Sequence, residues 1–336
     1  YFNEHFINVR YDMEKGDGKM LHDRYKKNII GFPTLLFIDK TGKVVQQMAG
    51  FQDVEKLIAG AKKAFTGRDL FTLDKEYRQG NRDFKFLCEY MGSLEGAFLK
   101  DSAAHVAQEY LAKARPEELD KDEIWKAFGS YVTDVDSPAF EYLVNNIARY
   151  GYKLNRDRFR IARQLEASCT RELKGIFDIK YDEENGKFLP LSTDTIRAEK
   201  LVGFMSRASL PGLDDYRMRL YVHKLLLKDQ LDKAWDAILV GMNAQMTGFY
   251  ALNVEKYIRY MVSRTGDKKV LKSYLAVLNR FLNTPKEANF AFGMYKTMAE
   301  INEKLGNKQV AKEQMERYQQ ENEKARKAVE SFFKRG

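Results

Sequence analysis

Gly31-Phe32-Pro33-Thr34 opens the apolar run Leu35-Leu36-Phe37-Ile38, and its reading decides the fold of the N-terminal part of the chain. Proline has no N–H to give to a ladder, so within a sheet it sits at an edge or at the first residue of a strand. Taken alone, Pro33 reads as such a first-residue proline with the trans bond most X–Pro pairs keep. The segments around it set the topology. Phe6-Ile7-Asn8-Val9 reads as a short buried strand, and residues 19–28 as a helix with Asp17 or Gly18 near its start. Beyond the Thr34 strand, Lys40-Thr41-Gly42 makes a tight turn into Lys43-Val44-Val45-Gln46-Gln47-Met48. Gly50 then precedes a helix near Asp53–Phe65, whose Val54, Leu57, Ile58, Ala61 and Phe65 recur at three and four residues and form one face for the sheet. Thr66-Gly67 ends that helix and marks a domain boundary.

This order of elements resembles the C-terminal portion of a thioredoxin fold. The matching residues are Phe6-Ile7-Asn8-Val9 with Asp12, Ile30-Gly31-Phe32-Pro33-Thr34, Phe37-Ile38-Asp39 with Gly42, and Gly50. They fall within residues 1–66, about a fifth of the chain. The resemblance implies a cis Phe32–Pro33 bond beside a redox-active Cys-x-x-Cys, and a Phe32 backbone that pairs with a substrate peptide. Phe32, Pro33 and Thr34 are then the expected substrate-binding residues. The implied activity is a thiol–disulfide oxidoreductase acting on protein disulfides. Its location would be the periplasm or cell envelope, because the pairing with a helical domain resembles exported bacterial thioredoxin-like proteins. In such chemistry a thiol of lowered pKa at a helix N-terminus attacks, and a second cysteine resolves the mixed disulfide.

The departure from the family is as informative as the match. No Cys-x-x-Cys occurs in the sequence, so no catalytic residue is expected within it. In the family that motif opens the helix just before the one ending near Tyr1-Phe2-Asn3. The chain is therefore expected to begin inside its first domain, with an upstream segment supplying the strand between Phe6–Val9 and Leu35–Ile38. Without that strand, buried backbone groups would lack partners. The alternative to an oxidoreductase is a non-catalytic thioredoxin-like, helical-repeat scaffold that binds proteins.

From Arg68 onward the pattern is helical nearly throughout, giving an expected fold of α/β plus all-α: an incomplete thioredoxin fold over 1–66, a helical domain over 67–210 and helical hairpin repeats over 211–336. Leu73 and Tyr77, then Phe84, Leu87, Cys88 and Met91, mark early helices; Ala103–Ala114 is stopped by Pro116. Ile124–Tyr131 follows. Asp136-Ser137-Pro138 reads as a cap and first-turn proline opening Ala139–Tyr150, with Gly151 closing it. Residues 155–175 read as an amphipathic helix with Phe159, Ile161, Ala162, Leu165 and Cys169. Between helices, Phe177, Ile179 and Tyr181 alternate with polar residues, and Asn185-Gly186 turns toward Lys187-Phe188-Leu189, a small hairpin near 177–189.

The last third repeats one design. Asp229, Gly266 and Gly306 each open a polar turn into a helix, with Ala234, Leu271 and Ala311 five positions on. Apolar helices precede the turns, the signature of stacked helix pairs. Ala299–Ala311 resembles a degenerate tetratricopeptide unit, without the first-helix Trp and the closing Pro. Thr284-Pro285-Lys286-Glu287 reads as a capped helix start. In the final helix Ala311, Met315, Tyr318, Asn322, Ala325, Val329 and Phe332 follow a heptad seam, read as packing on the preceding repeat.

Composition narrows the function classes. The 57 basic and 48 acidic residues leave a net charge of +9, but the signs are interleaved, as in Lys121-Asp122-Glu123. No nucleic-acid partner is expected; the expected partners are proteins or peptides carrying thiols or disulfides. No apolar run approaches the roughly 18 residues of a membrane span. Cys88 and Cys169 are too few for a disulfide framework, although a bridge between them stays open. The four histidines His5, His22, His105 and His223 show no metal-ligand spacing, and Asp182-Glu183-Glu184 lacks the alternation of a calcium loop. Gly16-x-Gly18 is a plain turn rather than a phosphate loop. No metal or cofactor is expected.

Overall fold

Residues 1–29, 31–284 and 291–333 are described by a computed structural model. The chain is mostly helical, and β-structure among the described residues consists of two small two-stranded sheets. Its Cα positions divide into two units, Tyr1–Ile161 and Ala162–Gly336. The division falls inside the segment expected over 67–210, whereas the expected segment edges lie at Gly67 and in the Pro211-Gly212 turn.

In the first unit, α1 (Phe2–His5) and α2 (Asp17–Tyr25) precede an antiparallel pair, β1 (Thr34–Ile38) and β2 (Val44–Ala49), followed by α3 (Val54–Thr66). Thr34 lies opposite Ala49 and Ile38 opposite Val44, with an irregularity between Phe37 and Ile38. The Asp39 carboxylate closes the turn by accepting from the Thr41 and Lys43 amides at 2.8 and 3.0 Å. Tyr25 donates to the Gly42 carbonyl and Asn28 to the Gln47 side chain, which pins α2 to the hairpin. Asp53 caps α3 through the Lys56 amide, and Gly67 ends it in the left-handed region at φ 73°.

Three expectations are corrected here. Phe6-Ile7-Asn8-Val9 is not a strand. Phe6 is extended and its ring lies 5.4 Å from that of Phe37, but Ile7 and Val9 are 95% and 71% exposed. Only Phe6 has a hydrophobic anchor, and no ladder forms beyond it among the described residues. The second correction concerns α3. Ala61 packs against Phe37 and Met48, with Leu57 at the margin, whereas Val54 and Phe65 are exposed. Two strands about 5 Å apart cannot cover a helix roughly 20 Å long, so only the middle of the stripe finds the sheet. Third, α2 starts and ends earlier than residues 19–28, because Gly16 at φ 49° turns the chain directly into it.

The unit continues through α4 (Leu70–Arg78), α5 (Phe84–Gly96), α6 (Lys100–Leu111), α7 (Asp122–Phe128) and α8 (Pro138–Tyr152). Asp69, Asp83 and Ser137 cap their helices by accepting from amides two or three residues on. The Gln46 side chain, buried in β2, accepts from the Leu70 amide at 2.9 Å and so ties the hairpin to the start of α4. Gly151 does not close α8. It stays helical, the Arg158 stem packs over its bare Cα, and the chain leaves the helix at Lys153.

Helix α9 (Arg158–Phe177) carries the chain from one unit into the other. Ile161, Leu165, Cys169 and Leu173 are buried along one face, while Phe159 is exposed and lies off it. Phe177 ends this helix rather than starting a hairpin arm. The hairpin is shorter than expected, β3 (Tyr181–Asp182) pairing with β4 (Lys187–Phe188) around Gly186 at φ 63°. Asp182 accepts from the Glu184 and Asn185 amides, a local loop closure.

The second unit is completed by α10 (Thr195–Arg207), α11 (Leu213–Leu227), α12 (Leu231–Asn243), α13 (Ala251–Val262), α14 (Lys268–Leu282), α15 (Ala291–Leu305) and α16 (Lys308–Phe333). The last six are three helix pairs joined by the polar turns read from the sequence, and Ala234, Leu271 and Ala311 are all buried. Trp235 of α12 meets Tyr274 of α14 edge-on at 4.7 Å, and the Tyr274 hydroxyl lies 3.6 Å from the Met261 sulfur. One aromatic contact thus joins successive pairs. The α16 seam is buried at Ala311 and half-buried at Met315 and Tyr318, but Asn322 and Ala325 are exposed, so it packs only along its first turns. The side chains of Val329 and Phe332, and the helix start at Pro285-Lys286-Glu287, lie outside the described residues.

His223 of α11 supplies a pH dependence. It is 2% exposed, and its Nε2 lies 2.7 Å from the Ser192 carbonyl, which can only accept, so Nε2 carries the proton. Burial, reinforced by Arg219, holds its pKa below the ordinary 6.5, against the Ser192 bond. Above that value both folded and unfolded chains hold a neutral ring. As the pH falls through it, the unfolded chain takes up the proton first, so stability drops toward the folded pKa. Stability to denaturant is expected to fall below pH 6.5, and His223→Asn to flatten that slope.

Candidate functional site

The expected substrate-binding residues lie where the chain enters the hairpin. Gly31, Phe32 and Pro33 precede β1 outside any ladder, and Thr34 is its first residue. The Phe32–Pro33 bond is cis. Pro33 accepts from the Gly50 amide at 2.8 Å, which ties the entry of β1 to the exit of β2. Gly50 is required twice over: its φ is 72°, and a Cβ there would lie 2.9 Å from the Phe98 ring. The Thr34 hydroxyl donates back to the Gly31 carbonyl, closing the loop on itself.

Phe32 projects from this hydrogen-bonded entry with 69% of its surface exposed. Below, Phe37, Met48 and Ala61 fix the inner face of the hairpin, and Gly60 lets Met48 close on α3, since a Cβ would meet its sulfur at 2.4 Å. Each strand of a two-stranded sheet has one edge outside the ladder, so β1 keeps its second edge unpaired among the described residues. β2 differs because its residues are buried or half-buried and its neighbours include α3, α4 and α5. An edge strand with free N–H and C=O groups, entered through an exposed aromatic residue, can accept an extended peptide by strand addition.

Neither cysteine has the lowered pKa of a nucleophilic thiol. Both are free thiols. Burial, with Glu123 and Asp83 adding to it, raises the Cys88 pKa, and burial raises that of Cys169 to about 12. A nucleophilic thiol needs the opposite shift. His5 and His22 sit in the first unit near the surface, and His223 is buried with its Nε2 on the Ser192 carbonyl. Among the described residues no group of three or more His, Cys, Asp or Glu side chains is placed to hold a metal ion, and no helix is long and apolar enough to cross a membrane.

The sequence reading found the hairpin entry but missed two polar centres. Arg156 is almost fully enclosed in the first unit, and Asp215 in the second. Both act on backbone groups more than thirty residues away, and no local pattern marks them. The repeat period could have drawn attention to Asp215, which faces the turn that opens the next helix pair. Comparisons with protein-family models, curated proteins and solved structures found no match for this chain.

Proposed function

We propose that the hairpin entry at Phe32-Pro33-Thr34 docks an extended segment of a protein substrate, in the manner of thioredoxin-like thiol–disulfide oxidoreductases, and that the helix pairs hold the rest of that substrate. The observation that carries this reading is the unpaired β1 edge beside a Phe32 that is 69% exposed. An aromatic side chain held in water on a hydrogen-bonded loop is a low-entropy anchor for a partner. The periplasm or cell envelope is the proposed location, on the family resemblance.

The dithiol step requires a vicinal cysteine pair, which residues 1–336 do not contain. A second reading, a non-catalytic binding scaffold, is favoured by the raised pKa values of Cys88 and Cys169. Insulin reduction by dithiothreitol separates the two. Residues 1–336, which hold no vicinal cysteine pair, are expected to leave the rate at background, and the same residues fused behind a Cys-x-x-Cys strand-helix segment to raise it. Background from the fusion as well leaves the scaffold.

Docking itself is measured by fluorescence polarisation of a labelled, unfolded, cysteine-containing peptide. Phe32→Asp is expected to weaken binding about tenfold, the effect of removing one interface anchor, with no change in melting because the side chain is solvent-facing. Equal affinity of the two proteins would overturn the assignment.

A further inference from the structure

A cavity of about 390 Å³ opens in the second unit, where the end of α9 meets α11 and α13. Its lining includes Lys174, Phe177, Asp178, Arg219, Lys256 and Tyr257. The volume falls in the lower range of small-ligand sites. Three cations face one carboxylate there. Lys256 lies 3.4 Å from Asp178, and both are partly exposed at the rim. That pair neutralises itself; Lys174 is the cation left over at the rim, and Arg219 brings its guanidinium beside the buried Asp215 carboxylate.

Arg219 is held in an unusual setting. Its guanidinium carbon stands 5.3 Å from the Phe177 ring and 5.2 Å from the Tyr216 ring, so aromatic faces fix its plane. Its Nε is enclosed without a hydrogen-bond partner. The neighbouring Asp215 carboxylate is already engaged by the Gly248 amide at 2.7 Å and by the Thr247 hydroxyl at 3.3 Å. Tyr257 adds a buried phenol to the floor, and Asn253 a side-chain amide to the lining. A fixed guanidinium is suited to planar two-point recognition of an oxyanion, and an ammonium to a point charge beside it. Phe177 and Tyr257, 3% and 4% exposed, close its inner wall, and the stems of the exposed Lys174 and Lys256 add apolar surface for whatever carries that oxyanion.

We infer that this cavity binds a small organic oxyanion, a carboxylate or phosphate ester on a flat apolar body. Lys174 and Arg219 hold the anionic group, and the body lies among Phe177, Ile179 and Tyr257. Asp178 opposes binding by occupying Lys256.

Isothermal titration of the full chain tests the site, with phenyl phosphate as probe and benzyl alcohol as its neutral counterpart. Phenyl phosphate is expected to bind one to one, at least about tenfold more tightly than the alcohol, and to weaken with added salt. Lys174→Ala should weaken binding several-fold. Asp178→Asn should tighten it, since it removes the opposing charge and frees Lys256. Arg219→Met should abolish it, with a melting curve confirming that the variant folds. The two rim variants carry the test should Arg219→Met not fold. Absence of saturable binding, equal affinity for the neutral probe, or rim variants indistinguishable from the parent would each overturn the assignment.

Discussion

Replacing Arg156 by methionine is expected to destabilise the first unit by about 3–5 kcal/mol. Arg156 is 5% exposed. Its guanidinium donates to the Leu119 and Asp120 carbonyls at 2.6 and 2.7 Å, and reaches the Asp122 carboxylate at 3.2 Å. Trp125 and Tyr150 cover its two sides at 4.7 and 4.9 Å. It thus fastens the Pro116–Asp120 turn and the start of α7 to the end of α8. Methionine fills much of the volume but leaves two carbonyls facing an apolar stem, and each buried unpaired acceptor costs about 1–3 kcal/mol. A drop in Tm of roughly 10 °C follows for a unit of this size. Arg156→Lys keeps the charge but cannot span both carbonyls in one plane, so it should recover only part of the loss. A melt within two degrees of the parent would show that the fork is dispensable.

The second large effect is expected at Asp215. This buried carboxylate, on the first turn of α11, accepts from the Gly248 amide and the Thr247 hydroxyl in the turn Thr247–Phe249 that leads into α13. It is a polar fastening between one helix pair and the next. The approach leaves no space for a side chain at Gly248, where a Cβ would lie 2.8 Å from the Asp215 oxygen and 2.5 Å from Arg219 Cδ. Asp215→Ala strands the Gly248 N–H in a closed environment and removes the negative charge beside Arg219. A loss of about 3 kcal/mol is expected, measured by urea unfolding. Asp215→Asn, which keeps an acceptor oxygen, should lose less. Equal losses for alanine and asparagine would mean that the charge, not the hydrogen bond, holds the turn.

What could be read in the sequence was local chemistry. Asp53 and Ser137 precede apolar runs and cap helices because their side chains reach amides within the same turn. Ala234, Leu271 and Ala311 were found by their constant offset from a polar turn, and all three are buried for the same reason, helix-pair packing. The hairpin and its entry were legible because a proline, a Lys-Thr-Gly turn and two apolar runs leave few arrangements.

The readings that failed depended on distant partners. Ile7 and Val9 carry strand propensity, yet a strand exists only where a neighbour pairs with it. Val54 and Phe65 fit the helical period but overhang a sheet two strands wide. Phe177 alternates correctly for a strand, but the preceding helix runs through it, and its ring packs on Arg219 and His223. Gly151 stayed helical because Arg158 closes over it. Arg156, Asp215 and the cation-lined cavity join residues separated by thirty positions or more, and no motif announces them.

Amide hydrogen exchange, with and without a saturating unfolded peptide, tests the docking proposal most directly. Bound by strand addition, the peptide would cover the open edge of β1, and the amides of Thr34–Ile38 that do not face β2 should slow markedly while those of the helix pairs change less. Unchanged exchange across residues 31–38 in the presence of demonstrably bound peptide would contradict the account, and would move the binding surface away from Phe32-Pro33-Thr34.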